Sequence, residues 1–359
     1  MLIFRLICAN LILCKCSFQL LVKGQVVLMA NRSEILQRID LYKKSGQDII
    51  RREYLDTLTK YTHHPTIIYF SAYPCRIQGL PSSLLSIDTS DIQGFMTCIN
   101  GLHGDDLDDD FLDLIIHSPG GSLEATEQIV QYLRSKYKHI RAIIPQNAMS
   151  AATMLACACD EIVLGRESAI GPIDPQISFP GANGIITTMP AYAILEDVRR
   201  ASEEVIKNPQ LATIWAPKLA AIPNGMLHFC EKTIELSKEK VADWLNAYMF
   251  KNDEQKPGYE IASWLGNFSE QKTHGRPINY DIAKEKGLKV VRLEDDPILQ
   301  DLVLSVYHAT LVTFDVTQCV KIIENSFGQG AYMIAQQQVA PQAIAFPMMQ
   351  PPDIQAPQK

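Results

Sequence analysis

The chain has 359 residues, of which 47% are hydrophobic, so it is long enough for one large or two modest domains. This apolar content is typical of globular proteins and excludes a chain that is disordered throughout. The formal charge of −7, from 40 acidic and 33 basic residues, argues against nucleic acid as the main partner, because phosphate binding needs a clustered basic face.

The first segment, residues 1–28, is apolar but interrupted by polar side chains. A membrane-spanning helix needs about 20 nearly continuous apolar residues, and Arg5 and Lys15 are costly within one. Three interpretations stay open: a membrane anchor or signal segment, an ordered part of the domain, or translation that starts at Met29. We expect a chain that starts at Met29 to fold and keep its activity. A cytoplasmic location is predicted, and membrane association through residues 1–28 is the alternative.

The next segments alternate between helical and strand patterns. Apolar periodicity predicts two helices over 33–60 with a break near Gly46, a strand over Thr66–Ser71 after Pro65, and a helix over 88–102. The acidic run Gly104–Asp110 lacks the alternating ligand spacing of a calcium loop. It is interpreted as a solvated turn.

A regular strand–helix alternation begins at residue 113. Strands are predicted at 113–117, 140–145 and 161–164, with helices at 123–138 and 150–157 between them. Short connections in this order imply parallel strands joined by right-handed crossovers. An α/β fold is therefore predicted.

The remainder is predicted to be mostly helical. Residues 191–250 form an added helical segment with breaks at Pro217 and Pro223, and Val290–Val291 return to the sheet. We expect one domain over 29–305, a C-terminal helix over 306–327, and a flexible tail rich in Gln, Pro and Ala over 328–359.

Three short motifs follow neighbouring predicted strands. They are His117-Ser118-Pro119-Gly120-Gly121-Ser122, Asn147-Ala148-Met149-Ser150-Ala151-Ala152-Thr153, and Ser168-Ala169-Ile170-Gly171-Pro172-Ile173-Asp174-Pro175-Gln176. A pair of glycines leaves backbone amides open to a ligand. A serine that opens a helix lies at the positive end of its dipole, where the next amide can help to bind an oxyanion. Parallel sheets place their sites at this edge.

These motifs, together with the strand Asp-Glu-Ile-Val-Leu-Gly at 160–165, resemble the Clp protease/crotonase superfamily. The closer resemblance is to the serine dehydrogenase proteinase family, which is related to the signal peptide peptidases. Gly171-Pro-Ile-Asp-Pro-Gln176 and Thr273-His-Gly-Arg-Pro-Ile278 are similar to that family's sequences. The resemblance covers roughly residues 60–300 and implies a ββα-spiral fold, a serine nucleophile and peptide-bond hydrolysis.

The resemblance also implies roles for particular residues. Ser150 matches the nucleophile, and Gly121 and Ala151 match the amides of the oxyanion hole. Clp-type proteases carry a histidine base about 25 residues after the serine, but Asp174 and Pro175 occupy that place here. A carboxylate is a poor base for a serine hydroxyl unless burial raises its pKa.

Three candidates for the general base follow. His274 is preferred because it lies in the family-like stretch, with Asp174 as the acid that orients it. Lys207 would serve in a Ser–Lys dyad of the signal peptide peptidase type. His117 ends a strand beside the glycine turn, and a histidine in such a place is more often structural.

The predicted function is a serine-type peptidase that acts on a peptide or protein substrate and assembles as a homo-oligomer. No metal and no organic cofactor are predicted. The cysteine pairs 14/16 and 157/159 are too closely spaced for the usual zinc site. Nine dispersed cysteines favour a reducing compartment over a disulfide framework. The alternatives are a crotonase-type acyl-CoA enzyme and a non-catalytic, membrane-associated scaffold.

Overall fold

The computed structural model describes residues 32–41, 46–74, 82–180 and 186–335. The predictions for residues 1–28 therefore lie outside the described residues. Two helices open the described chain, α1 (Arg32–Leu41) and α2 (Gly46–Thr62), which confirms the predicted pair with its break before Gly46. Gly46 is a poor helix former and stands at the start of the second helix.

A seven-stranded sheet forms the centre of the described fold. Its strands, in chain order, are β1 (Thr66–Ser71), β2 (Phe111–His117), β3 (His139–Ile144), β5 (Glu161–Leu164), β9 (Val290–Arg292), β10 (Cys319–Asn325) and β11 (Gly330–Ile334). The spatial order is β11-β10-β1-β2-β3-β5-β9. The pairs β1–β2, β2–β3, β3–β5 and β5–β9 are parallel, whereas β10 runs antiparallel to β1 and β11. The α/β prediction is confirmed.

Helices cover both faces of the sheet. One face packs against α3 (Asp91–Ile99), α4 (Leu123–Arg134) and α5 (Ala151–Cys157), and the larger core lies there. The other face packs against α2 and α12 (Pro297–Val316), with Leu58, Phe70 and Val303 in a second core. Both faces are apolar because parallel strands joined by helical crossovers are covered on both sides.

Two short strands outside the main sheet lie beside the ends of its central strands. β4 (Asn147–Ala148) pairs in parallel with β6 (Ala169–Ile170), and Ile170 also pairs with Ile278. This arrangement brings the segments that follow β3, β5 and residue 273 to the same edge of the sheet.

A hairpin and three helices extend from that edge. The hairpin β7 (Gln176–Pro180) and β8 (Ile186–Pro190) leads into α6 (Ala191–Lys207), α7 (Ala212–Leu219) and α8 (Met226–Ala247). A separate apolar cluster, which includes Phe179, Ile194 and Cys230, holds the hairpin against α6 and α8. The short helices α9 (Gly258–Leu265), α10 (Phe268–Gln271) and α11 (Tyr280–Glu285) return the chain to the sheet.

The predicted break at Pro217 is wrong. Pro217 lies inside α7, whereas Pro223 does fall between α7 and α8. A proline within a helix removes one backbone hydrogen bond and crowds the preceding turn. Pro217 stands two residues before the end of the eight-residue α7, so little of the helix follows it.

The predicted helix over 306–327 is also wrong in its second half. α12 ends at Val316, and Cys319–Asn325 form the fully buried strand β10 between β1 and β11. The domain therefore continues past residue 305, and Gly330–Ile334 of the predicted tail form the edge strand β11. Residues 336–359 lie outside the described residues. Val320, Ile322 and Ile323 are β-branched residues that favour a strand.

Among the described helices, α12 is long and apolar enough to cross a membrane by length and composition. Its most apolar stretch is 61% buried inside the protein. Leu302, Val306 and Tyr307 pack with the sheet and α2 in the second core. Core helices pass the same length and composition test, so the finding is weak evidence for a membrane span.

Candidate active site

The glycine turn after β2 is held by a neighbouring extended segment. Ile87 pairs with Gly121 in parallel; its amide donates to the Gly120 carbonyl (2.7 Å), and its carbonyl accepts from the Ser122 amide (2.9 Å). A Cβ atom on Gly121 would lie 2.3 Å from the Ile87 carbonyl oxygen. Only glycine allows this close approach of two backbones.

Ser150 lies at the junction between β4 and the helix α5. Its backbone has φ 52° and ψ −120°, a conformation that residues with side chains rarely adopt. Gly120 packs directly against it, because a Cβ on Gly120 would lie 2.8 Å from the Ser150 Cβ and 2.4 Å from the Met149 carbonyl oxygen. The strained turn thus presents the serine side chain beside the glycine turn, as nucleophile turns do.

Two backbone amides are open at this junction. In the described part of the chain, the amides of Gly121 and Ala151 make no hydrogen bond. The bridge to Ile87 uses the Gly120 carbonyl and the Ser122 amide, which leaves the Gly121 amide unused. The Ala151 amide begins α5 and has no carbonyl one turn before it to bind. Two free donors beside a serine hydroxyl are what an oxyanion requires.

Thr153 joins the serine helix to the segment that follows β6. Its hydroxyl donates to the Ala148 carbonyl (2.7 Å) and accepts from the Gly171 amide (2.9 Å). A Cβ on Gly171 would lie 2.6 Å from the Met149 Cε atom. These contacts hold the Gly171–Asp174 segment against the start of α5.

Asp174 and His274 form a hydrogen-bonded pair although 100 residues separate them. His274 Nδ1 lies 2.8 Å from Asp174 Oδ1, and Gln176 donates to the other carboxylate oxygen at 2.9 Å. The Asp174 side chain is 3% exposed and that of His274 is 27% exposed. With Nδ1 bound to the carboxylate, Nε2 is the ring nitrogen left to accept a proton. No described hydrogen bond joins Nε2 to the Ser150 hydroxyl.

The Ile170–Ile278 pairing brings this pair to the serine. The amide and carbonyl of Ile170 bind the carbonyl and amide of Ile278 at 3.0 and 2.8 Å. Asp174 lies four residues after Ile170, and His274 lies four residues before Ile278. The two side chains therefore stand on segments that meet at this pairing. Ile170 also pairs with the strand β4, which ends two residues before Ser150.

Lys207 lies away from this group. It is the exposed last residue of α6, whose first amide, on Ala191, donates to the Pro175 carbonyl (2.9 Å). A helix rises about 1.5 Å per residue, so Lys207 lies roughly 24 Å from that end. The structure therefore brings Ser150, Gly121, Ala151, Asp174 and His274 to one edge of the sheet and leaves Lys207 outside.

The side chain of His117 binds backbone groups beside the site. Its Nε2 donates to the Tyr73 carbonyl (2.6 Å), and its Nδ1 accepts from the Asn147 amide (3.3 Å). Burial lowers the pKa of His117 to about 4, so the ring is neutral and both nitrogens are occupied. This agrees with the structural interpretation of His117.

Sequence reasoning missed two supports of the site, Ile87 and Thr153. Ile87 belongs to a stretch without a strand pattern, and only its tertiary pairing with Gly121 reveals its use. Thr153 lies three residues after Ser150, inside the predicted helix, where a threonine gives no sign of a role in the site. No group of three or more His, Cys, Asp or Glu side chains that could hold a metal ion occurs among the described residues.

Comparison with known proteins identifies the family. Residues 104–308, more than half of the chain, match the model of the ClpP-like SDH-type serine proteinase. The chain is 33% identical over 179 residues to the uncharacterized protein MJ1495 of Methanocaldococcus jannaschii, a match that covers 50% of this chain and 51% of that protein. It is 29% identical over 181 residues to the uncharacterized protein MJ0137 of the same organism, which covers 50% and 53%.

The chain spans about half the length of these curated relatives. The family match includes the glycine turn, Ser150, Asp174 and His274, and it confirms the ClpP-like α/β fold expected from the resemblance. The chain belongs to the family of ClpP-like SDH-type serine proteinases.

Proposed function

We propose that the protein hydrolyses peptide bonds with Ser150 as nucleophile, His274 as general base and Asp174 as the acid that orients it. The observation that carries the proposal is the 2.8 Å pairing of Asp174 with His274 at the sheet edge where Ser150 opens its helix. This pairing supports a mechanism in which three separate segments supply the nucleophile, the base and the orienting carboxylate.

The steps follow from these groups. The Ser150 hydroxyl attacks the substrate carbonyl carbon as its proton passes to His274 Nε2. The amides of Gly121 and Ala151 bind the oxygen of the tetrahedral intermediate, which removes the need for water to solvate that charge. His274 returns the proton to the leaving amine, and a water molecule then hydrolyses the acyl-serine by the same route.

Asp174 contributes through the histidine. Its buried carboxylate binds Nδ1, which keeps the proton of the neutral ring on that nitrogen and stabilises the imidazolium that forms during attack. Gln176 holds the second carboxylate oxygen and so limits rotation of the group. No metal or cofactor is part of the proposed mechanism.

A fluorophosphonate probe tests the proposal, because it reacts with an activated serine and leaves a covalent mass. We expect labelling of Ser150 and turnover of a peptide substrate, and we expect Ser150→Ala to lose both while its thermal midpoint stays close to that of the wild type. Ser202→Ala is the matched control, since Ser202 is an exposed serine on α6. Equal labelling of the wild type and Ser150→Ala would contradict the proposal.

The same experiment separates the two alternatives. An acyl-CoA enzyme could use the Gly121 and Ala151 amides without a nucleophile at position 150, so it would bind coenzyme A and escape the probe. A scaffold would do neither. Self-assembly into a homo-oligomer belongs to the proposal as well, and light scattering of the full chain checks it by giving a mass that is a multiple of 40.2 kDa.

A further inference from the structure

A buried lysine lies behind the glycine turn. Lys321 of β10 is 2% exposed, and its ammonium donates to both carboxylate oxygens of Asp91 (2.9 and 3.0 Å) and to the Ser86 carbonyl (2.7 Å). An ammonium group that is removed from water destabilises the fold unless it is paired and fully hydrogen-bonded. Its two hydrogen-bond partner residues, Ser86 and Asp91, lie on the segment that leads to the site.

One branch reaches the turn through the backbone around Ile87. Lys321 binds the carbonyl of Ser86, the residue before Ile87. Asp91 accepts a hydrogen bond (3.1 Å) from the amide of Asp88, the residue after Ile87. Ile87 in turn holds the Gly120 carbonyl and the Ser122 amide. The ion pair therefore fixes the short segment on which the glycine turn rests.

The second branch reaches the turn through side chains. Tyr69 of β1 donates to Asp91 Oδ2 (2.7 Å), and the Ser118 side chain lies beside the Tyr69 phenol. The Gly120 amide then donates to Ser118 Oγ (3.2 Å). Tyr69 and Ser118 are fully buried, so water cannot replace either contact. Chains of buried hydrogen bonds that end on a charge strengthen one another.

The two branches hold two neighbouring peptide units, one through the Gly120 carbonyl and the preceding one through the Gly120 amide. The unit between Gly120 and Gly121 is flanked by glycines, so its rotation meets no side-chain barrier. If it rotated by half a turn, the Gly120 carbonyl would replace the Gly121 amide where the oxyanion forms. Ile87 holds that carbonyl in place, and Ser118 holds the amide of the preceding peptide.

We infer that Lys321, Asp91, Tyr69 and Ser118 are a positioning network that keeps the Gly121 amide directed at the substrate oxygen. The inference rests on the proposed function for the use of that amide. The network touches no substrate and acts only through the glycine turn. A displacement of about 1 Å in such a donor costs on the order of 100-fold in rate, so the network supports turnover more than substrate binding.

Tyr69→Phe tests the network with the least disturbance, because it removes one hydroxyl and keeps the ring. The matched control is Tyr332→Phe. In the wild type the Tyr332 hydroxyl also binds a buried carboxylate, that of Glu324, but away from the glycine turn. Glu324 is paired with Arg51 and Arg52. We expect Tyr69→Phe to lower kcat and the rate of Ser150 phosphonylation by about 10-fold with KM nearly unchanged. Tyr332→Phe should stay within about twofold of the wild type.

Lys321 itself provides a rescue test. Lys321→Met should lose more activity than Tyr69→Phe, and Lys321→Arg, which keeps the charge, should recover part of kcat. A purely structural lysine would shift the thermal midpoint in both variants without a selective change in kcat. If Lys321→Met does not fold, the comparison of Tyr69→Phe with Tyr332→Phe still tests whether the network positions the Gly121 amide.

Hydrogen exchange of the Gly120 amide gives a readout that does not need activity. We expect this amide to exchange at least about 10-fold faster in Tyr69→Phe than in the wild type or in Tyr332→Phe. Unchanged exchange would overturn the network, whether or not the wild type reacts with the probe. Faster exchange with an unchanged labelling rate would overturn its role in positioning. Failure of the wild type to react with the probe would instead count against the proposed function.

Discussion

At the scale of single residues, the conformation of Ser150 depends on what lies beside it. A serine with φ 52° and ψ −120° is strained by about 1–3 kcal/mol, and such strain persists only when the surroundings impose it. Gly120 permits the strained turn because it has no side chain: a Cβ there would lie 2.4 Å from the Met149 carbonyl oxygen. Ser150 and the glycine turn are therefore one packed unit.

Gly120→Ala should disable this unit. The added methyl group has to displace backbone atoms around Ser150, so we expect kcat/KM and the phosphonate labelling rate to fall by at least about 100-fold. Gly225→Ala is the matched control, because Gly225 also has a positive φ (80°) but its Cβ would meet nothing within 4 Å. That variant should lose about 1 kcal/mol of stability and keep its activity. Equal activity losses in both variants would contradict this account.

The choice of base is a second prediction at this scale. His274→Asn should lower kcat by about 10²–10⁴-fold, because no other group described at the site can accept the Ser150 proton. Lys207→Met should leave kcat unchanged, since Lys207 is exposed at the far end of α6. Loss of activity in Lys207→Met alone would favour a Ser–Lys dyad.

At the scale of elements, β10 lies inside the sheet although it follows the segments that bear the site. All seven of its residues are buried between β1 and β11, and two of them are charged. Glu324 binds Arg51 of α2, and Lys321 binds Asp91 of α3. The strand therefore joins the first helices to the site through ion pairs that would be left unpaired without it.

A chain that ends at Thr317 should consequently fail to fold cooperatively. It lacks β10 and β11, so the edge of β1 and the buried Arg51 and Asp91 would be exposed or unpaired. Circular dichroism and a thermal melt, with the full chain as control, would check this. A sharp melt and retained phosphonate labelling in the truncated chain would show that β10 is an accessory strand.

At the scale of the whole molecule, stability should depend on the neutral state of His117. Burial lowers the pKa of His117 from 6.5 to about 4, so the unfolded chain binds this proton between those values and the folded chain does not. This stabilisation is complete above about pH 6.5 and is lost as the pH falls toward 4. A shift of this size corresponds to about 3 kcal/mol.

Denaturant unfolding at pH 7 and pH 5 measures this dependence. His117→Phe keeps an aromatic ring against Phe70 and Tyr307 but cannot take up a proton, so it should be less stable overall and show a shallower pH slope. The carboxylates of Asp113 and Glu324, whose pKa values are lowered by ion pairs that outweigh burial, act mainly below about pH 4. An identical slope in both proteins would contradict the assignment to His117.

Local sequence patterns predicted the elements whose periodicity is strong. The alternation from β2 to β5, the helices flanking Gly46, and the return of Val290 to the sheet all follow from local patterns, since each is encoded within ten to twenty residues. The glycine turn and Ser150 were identifiable because special backbone conformations leave a local signature. Their roles came from resemblance rather than from these patterns.

The tertiary structure alone decided which distant groups meet. Residue spacing could not choose between His274 and Lys207, because 100 residues of chain separate His274 from the carboxylate it binds. It also could not distinguish β10 from a helix end, since the charged partners of Lys321 and Glu324 lie more than 200 residues away. Periodicity reports only which face of an element is apolar. The pairing of buried charges depends on the packing of elements against one another, which local sequence does not encode.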